Sequence, residues 1–236
     1  MVYSADYLLI RHLKPQAGSG ICYGRLDLPA AEAPDPACDV LAARFFSRYP
    51  DAQLLSSPLQ RAAQLAEYIR QRYSEQSDIK QSSSSDLALD LNWDLTLDDR
   101  WQEIDFGRWE GESWNQIAKE EIDAWHQDLN GFYGHGGESA IQMQLRVSDA
   151  WDEWQQCNKG GVLICHQGVI RMVLAEVLQL PMAAQLRLEV NYQHGVWLRQ
   201  SWLQDEQGNK LPDSELWQVK GLNLSCAELA QRFSDE

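Results

Sequence analysis

The chain has 236 residues, enough for one large domain or two small ones, and its 44% hydrophobic and 23% charged residues are typical of a folded globular protein. Its formal net charge of −15 disfavours nucleic acid as a partner, because phosphate contacts need clustered lysine and arginine. The sequence contains no apolar run of about 18 residues, so no membrane partner or membrane-spanning segment is predicted. The first residues lack the basic and apolar regions of a signal peptide, so none is predicted.

The cysteines are odd in number and show no CxxC spacing, which predicts neither a zinc site nor a disulfide framework. Reduced thiols and a cytoplasmic location are therefore expected. The five cysteines are Cys22, Cys38, Cys157, Cys165 and Cys226.

In chain order, the first half of the sequence alternates between predicted strands and helices. Short β-branched and leucine runs indicate the strands, and apolar residues at helical spacing indicate the helices. The pair Ser57-Pro58 is typical of a helix start. The predicted elements are a strand at Tyr7–Ile10, a helix over Cys38–Tyr49, a strand at Gln53–Ser56 and a helix from Ser57 through Tyr73.

Residues 74–94 are polar and rich in serine and aspartate. Because folded-looking sequence resumes soon afterwards, we interpret this segment as a flexible surface insertion. A single domain over residues 1–236 is therefore predicted.

The second half continues the alternation, which favours an α/β layered sandwich with a mainly parallel sheet. Ser139 with Gln142 forms a capping-box signature for a helix that extends through Trp154. Trp125 and Trp151 are expected in the core. The other predicted elements are strands at Leu95–Leu97, Val162–Cys165, Leu186–Val190, Val196–Leu198 and Leu216–Val219, helices over Trp114–Leu129 and Val169–Leu178, and loops over Trp101–Gly111 and Asn130–Gly137.

Two of the predicted strands end at a histidine, His12 and His166. Chemistry in a parallel α/β sheet gathers beyond the carboxyl ends of the strands, so the two histidines are expected to face one another. Arg11, beside His12, supplies fixed donors for an anion. At each position a buried, hydrogen-bonded structural histidine is the alternative interpretation.

Arg61 falls in the first turn of its predicted helix, where the helix dipole disfavours a cation. This mismatch indicates an anion that the side chain meets, and a solvated surface arginine is the alternative.

Glu103 has Trp101, Phe106 and Trp109 nearby in sequence, and such neighbours raise the pKa of a carboxyl group as a general acid requires. By spacing alone, other acidic residues of the same segment compete with it. They are Asp105, Glu110 and Glu112.

Five motifs follow one another along the chain. They are Arg11-His12-Leu13, Ser57-Pro58-Leu59-Gln60-Arg61-Ala62, the run Glu103–Gly111, Gly136-Gly137-Glu138-Ser139 and His166-Gln167-Gly168-Val169-Ile170-Arg171. In this order they resemble the motifs of the histidine phosphatase superfamily, which also contains the cofactor-dependent phosphoglycerate mutases. The resemblance covers residues 7 to about 198.

The stretch Cys22-Tyr23-Gly24 with Asp27 is similar to one in the α-ribazole phosphatase branch of that family. The chain departs from the family at Leu13 and Gln167, where the family has glycine. Gln167 is expected to donate to the phosphate or to narrow the pocket, and Leu13 is expected to pack inward.

The resemblance implies a three-layer α/β/α sandwich of the phosphoglycerate mutase type with a mainly parallel mixed sheet. It implies a phosphomonoester hydrolase that needs no metal or cofactor and acts on a small phosphorylated metabolite, with α-ribazole 5'-phosphate as one candidate. His12 is the implied nucleophile and Glu103 the implied acid. The implied phosphate- and substrate-binding residues are Arg11, Arg61, His166, Gln167, Tyr23 and Gly24.

Two alternatives stay open. A phosphoglycerate mutase would need a bisphosphorylated priming cofactor and a second anion site, which the sequence does not display. A non-catalytic phosphate-binding or scaffold protein would not need the combination of His12, Arg61, Glu103 and His166.

Overall fold

The computed structural model describes residues 1–81 and 94–235. The described elements are β1 (Val2–Arg11), α1 (Pro36–Arg48), β2 (Gln53–Ser56), α2 (Gln60–Gln81), β3 (Leu95–Leu97), α3 (Lys119–Gln127), α4 (Ala140–Gln156), β4 (Gly161–Cys165), α5 (Gln167–Val177), α6 (Met182–Gln185), β5 (His194–Leu203), β6 (Leu216–Ser225) and α7 (Cys226–Ser234). Within these ranges, none of the helices combines the length and the apolar character that a membrane crossing requires.

The strands form one mixed sheet in the order β3-β2-β4-β1-β5-β6. The pairs β2–β3, β2–β4 and β1–β4 are parallel, and β1–β5 and β5–β6 are antiparallel. Helices α1, α2 and α7 contribute to the hydrophobic core on one face, and α4 and α5 contribute to the core on the other. The predicted three-layer sandwich with its mainly parallel sheet is confirmed.

The central strand β1 faces both cores, because successive side chains of a strand point to opposite faces. Leu8 and Ile10 pack in the core beneath α1 and α2, whereas Tyr7 and Leu9 pack in the core beneath α4 and α5. All four side chains are buried. Burial on both faces explains why this stretch is continuously apolar in the sequence.

Several element predictions need correction. Helix α2 continues to Gln81, so the first residues of the predicted insertion are helical, and residues 82–93 lie outside the described part. The helix predicted from Trp114 begins only at Lys119. The strand predicted at Leu186–Val190 is wrong. Leu186 ends the short helix α6, and the chain then runs without strand pairing until β5.

The prediction of fully reduced cysteines is also wrong. Cys38 at the start of α1 and Cys226 at the start of α7 form a disulfide, although they are 188 residues apart in sequence. Such a pair has no local spacing, so only the packing of α1 against α7 brings the two thiols together. The cysteine argument for a cytoplasmic location is thereby removed, and the location stays a prediction.

Candidate active site

Three neighbouring strands end side by side at one edge of the sheet. In the pairing of β1 with β4, Arg11 lies opposite Cys165, and the backbone N–H of His12 donates to the Cys165 carbonyl at 2.9 Å. The N–H of Ser57, just past β2, donates to the Ile164 carbonyl at 2.9 Å. The parallel register therefore delivers the residues that follow the strands to the same place.

His12 and His166 face one another there, with ring centroids 4.8 Å apart, and both side chains are buried. Nδ1 of His12 lies 2.5 Å from the Leu13 carbonyl. Since a carbonyl only accepts, Nδ1 carries the proton and Nε2 of a neutral His12 keeps its lone pair free. Nε2 of His166 pairs with the Ser57 hydroxyl at 2.8 Å.

Burial lowers the pKa of both histidines well below the usual value, since a charged imidazole loses its hydration there. The positive charges of Arg61 and Arg11 lower both pKa values further, and His12 adds to the effect on His166. Both rings are therefore neutral at neutral pH when the site holds no anion, which keeps the His12 lone pair available as a nucleophile.

Two arginines beside the histidines are anchored by backbone carbonyls. Arg61 donates to the carbonyls of Gly24 at 2.6 Å and Leu26 at 2.9 Å, and Arg11 donates to the Val190 carbonyl at 2.7 Å. Arg61 is fully buried, so the alternative of a solvated surface arginine is wrong. Its burial lowers the pKa of its guanidinium.

Three buried nitrogens in this group have no hydrogen-bond partner within the described residues. They are Nε of Arg11, Nε of Arg61 and Nδ1 of His166. Unpaired buried polar groups are rare and cost about 1–3 kcal/mol each, so their presence indicates a ligand with several acceptor oxygens.

Two tyrosines close one side of the site. The hydroxyls of Tyr23 and Tyr192 lie 2.7 Å apart, and the Arg11 guanidinium lies 3.9 Å above the Tyr192 ring. Burial and the bond to Tyr192 raise the pKa of Tyr23 to about 12. Tyr192 was not predicted, because it follows a loop whose sequence carries no motif.

Glu103 reaches the site from the loop after β3. Its Oε2 accepts the Gly168 N–H in the first turn of α5 at 3.1 Å, and its Oε1 accepts the Ile104 N–H at 3.0 Å. A Cβ on Gly168 would lie 2.1 Å from Oε1 of Glu103. Only glycine at this position leaves enough space for the Glu103 carboxylate, because any Cβ would overlap it.

The other acidic residues that the sequence offered as alternatives to Glu103 do not line the cavity next to these groups, which is described below. Asp105 accepts the Gly107 N–H at 2.7 Å, and Glu110 accepts the backbone N–H groups of Phe106 and Arg25. Glu112 is exposed. Asp105 and Glu110 therefore stabilise the loop through hydrogen bonds to its backbone.

The aromatic residues near Glu103 in sequence are mostly directed elsewhere. Trp101 packs against Trp154 in the core. Trp109 packs against His135, which is buried and outside the cavity lining. Phe106 does line the cavity with Glu103.

A partly buried ion pair supports the Glu103 loop. Arg146 on α4 pairs with Glu138 at 2.6 Å, and its guanidinium also donates to the carbonyls of Arg100, Gln102 and Glu103 at 2.8, 2.8 and 3.0 Å. Sequence reasoning missed Arg146, since an arginine inside an amphipathic helix carries no local signal.

A cavity of about 330 Å³ opens beside these groups. Of the predicted site residues, Arg11, His12, Tyr23, Gly24, Glu103 and Gln167 line it. Arg61 and His166 are fully buried and are not among the residues that line it. Leu13 packs in the core beneath α1 and α2, as predicted.

The two buried free thiols do not suit nucleophilic chemistry. Cys165 is fully buried, and desolvation raises its pKa well above the usual value. Cys22 lines the cavity, but burial raises its pKa to about 12. Neither thiol is therefore activated, because the thiolate is the reactive form.

The described residues contain no cluster of three or more histidine, cysteine or acidic side chains placed to hold a metal ion.

This fold and site define an α/β protein with a buried cationic pocket suited to a small anion. The chain belongs to the histidine phosphatase superfamily (branch 1), whose family model matches residues 7–201. A comparison with curated proteins finds no match.

Solved structures with the same fold come from several bacteria. A mycobacterial glucosyl-3-phosphoglycerate phosphatase in complex with inorganic phosphate is 21% identical, with a TM-score of 0.66 over 94% of this chain and 99% of that one. An α-ribazole phosphatase from Shigella flexneri is 19% identical, with a TM-score of 0.62 over 94% and 97%. A phosphoglycerate mutase from Bacillus anthracis is 15% identical, with a TM-score of 0.63 over 98% and 97%.

Proposed function

We propose that this protein is a phosphomonoester hydrolase that forms a phosphohistidine on His12 and needs no metal. The observation that carries the proposal is a set of three buried nitrogens, on Arg11, Arg61 and His166, that have no hydrogen-bond partner among the described residues. The two guanidinium groups and the His166 ring lie near a His12 that is neutral. A phosphoryl group offers three equatorial oxygens to such donors. Family membership supports the same chemistry.

In the first half-reaction, Nε2 of His12 attacks phosphorus in line and the bond from phosphorus to the leaving oxygen breaks. Glu103 acts as the general acid of this step and gives a proton to the leaving alkoxide. The two arginines and His166 stabilise the charge on the equatorial oxygens, and each such interaction is worth about 10²–10³ in rate.

In the second half-reaction, Glu103 accepts a proton from water as the water attacks phosphorus. The bond from phosphorus to Nε2 breaks, inorganic phosphate leaves and neutral His12 is restored. The Leu13 carbonyl accepts a hydrogen bond from Nδ1–H throughout, so Nε2 of His12 is the nitrogen that reacts in both steps.

The test is turnover of p-nitrophenyl phosphate with and without EDTA, for the wild type, His12→Ala and His126→Ala. We expect EDTA-insensitive turnover that His12→Ala abolishes. His126 is an exposed histidine on α3 outside the cavity lining, so its variant should retain activity. Quenched wild type should carry phosphate that is labile in acid and stable in base. Absence of turnover would favour a phosphate-binding scaffold, and inhibition by EDTA would contradict the metal-free mechanism.

For the physiological substrate we propose a small phosphorylated metabolite, with α-ribazole 5'-phosphate as the first candidate because of the Cys22-Tyr23-Gly24 resemblance. A panel with α-ribazole 5'-phosphate, sugar phosphates and 3-phosphoglycerate tests it. Release of inorganic phosphate from α-ribazole 5'-phosphate with the highest kcat/KM is the expected result. Isomerisation of 3-phosphoglycerate would instead favour a mutase.

A further inference from the structure

The cavity continues away from the phosphate-binding groups into a mostly apolar chamber. Its wall combines residues from the segment before α3, from α3 and the loop after it, and from α6 and the residue that ends it. We name this part the leaving-group chamber and define it by Phe106, Trp114, Trp125, Leu129, Met182 and Leu186.

Aromatic rings dominate one side of the chamber. Trp114 and Trp125 stack with their planes 18° apart and their centroids 5.9 Å apart, and Phe106 meets Trp114 edge-on at 5.5 Å. The expectation that Trp125 is a core residue is therefore wrong, since it lines the cavity. Rings held in this way favour an apolar, planar group over a strongly hydrated one.

One buried polar side chain interrupts the apolar wall. Gln185, the last residue of α6, lines the cavity and is only 3% exposed. Its Nε2 has no hydrogen-bond partner in the part of the chain that the structure describes. An amide donor buried without an acceptor is costly, so its place in a ligand cavity indicates an acceptor atom on the ligand.

The charged side chains of the cavity lining, Arg11, Glu103 and Arg171, belong to the phosphate end. Arg171 donates from Nε to the Leu188 carbonyl at 2.7 Å, and its charge interacts with Glu103 and Arg11. The unpaired amide of Gln185 is therefore available to the far end of a substrate.

We infer that the substrate is a phosphomonoester whose leaving group carries an aromatic ring with a hydrogen-bond acceptor. The side-chain amide of Gln185 donates to that acceptor. This inference rests on the proposed hydrolase function and adds the class of the leaving group. A cavity of about 330 Å³ is of the size that small-molecule sites have.

The test compares kcat/KM for primary-alcohol phosphates with similar leaving groups at phosphorus: ethyl phosphate, 2-naphthylmethyl phosphate and quinolinylmethyl phosphates with the ring nitrogen at successive positions. We expect the naphthyl ester to exceed ethyl phosphate by at least about 10-fold, because it buries apolar area. At least one quinoline ester should exceed the naphthyl ester by about 5- to 10-fold, the value of one hydrogen bond.

Variants then connect the preference to the residue. Gln185→Met keeps the side-chain volume and removes the amide. In this variant the ratio of kcat/KM for the best quinoline ester to kcat/KM for the naphthyl ester should fall to about one, and thermal stability should be retained. The matched control Gln231→Met, at an exposed position of α7, should keep the wild-type ratio of kcat/KM values. Leu186→Asn at the exposed rim should lower the naphthyl-to-ethyl ratio.

The outcomes separate the two proposals. If no ester is hydrolysed, the proposed function fails. If ethyl phosphate and the aromatic esters are hydrolysed with equal kcat/KM, the proposed function stands and the leaving-group inference is overturned. If the quinoline preference persists in Gln185→Met, the assignment of Gln185 is overturned.

Discussion

The Gly168 N–H donates to the Glu103 carboxylate at 3.1 Å, which ties the proposed acid to the first turn of the helix that follows His166. The two residues come from motifs far apart in the chain, and a Cβ on Gly168 would lie only 2.1 Å from Glu103 Oε1. The helix start therefore fixes where the carboxylate stands relative to the nucleophile.

Gly168→Ala should displace Glu103 and impair proton transfer to the leaving oxygen. We expect kcat/KM for an alkyl phosphate, which reports the first half-reaction, to fall about 10²-fold, the range that general acid catalysis contributes. The loss should be much smaller for p-nitrophenyl phosphate, whose leaving group needs little protonation. Glu103→Gln serves as the comparison and should show the same dependence on the leaving group. Equal losses for both substrates would contradict this role of Gly168.

Arg146→Ala should destabilise the protein and loosen the Glu103 loop. It leaves the Glu138 carboxylate, whose side chain is 12% exposed, without its closest cation and removes donors from the carbonyls of Arg100 and Gln102. Breaking a fully buried pair costs about 3–5 kcal/mol, but this pair is only partly buried and Glu138 keeps Arg25 at 3.4 Å, so we expect a loss of about 2–3 kcal/mol, measurable by urea unfolding. The double variant Arg146→Met with Glu138→Leu should recover part of this stability. A single variant as stable as wild type would exclude the bracing role.

The buried histidines make stability depend on pH. The pKa values of His12 and His166 are lowered in the folded state, so below about pH 6.5 the unfolded chain binds more protons than the folded chain. The free energy of unfolding should therefore fall as pH drops from about 6.5 towards 5, by up to about 1.4 kcal/mol per pH unit for each histidine.

The measurement is urea unfolding of the phosphate-free protein across that window. The variant with His12→Asn and His166→Asn should show a shallower slope, and His126→Ala should keep the wild-type slope. Inorganic phosphate should raise the stability of the wild type and have little effect on the double variant. An identical slope in the wild type and the double variant would refute the assignment.

The Cys38–Cys226 disulfide should contribute strongly to stability. It closes a loop over most of the chain, since the two cysteines are 188 residues apart, and the chain-entropy model gives about 5 kcal/mol for such a loop. We expect Cys38→Ser to lower the free energy of unfolding by about 2–5 kcal/mol under oxidising conditions. Cys157→Ser, at an exposed free cysteine, should have little effect. A reductant should remove the difference between Cys38→Ser and wild type.

Local sequence determined the elements and the chemistry they carry. Runs buried on both faces, such as Gln53–Ser56, and capping pairs, such as Ser139 with Gln142, predict their elements because the physical cause lies within a few residues. Strand-end placement also indicated His12 and His166, since the edge of a parallel sheet collects the ends of its strands.

Only the tertiary structure decided which distant groups meet. The choice of Glu103 over Glu110 depends on the Gly168 N–H, and the Cys38–Cys226 bond depends on α1 packing against α7. Gln185 entered the cavity from a segment next to one that the sequence predicted as a strand. These contacts are set by packing between elements far apart in the chain, and such packing leaves no periodic or capping signal in the residues that it brings together.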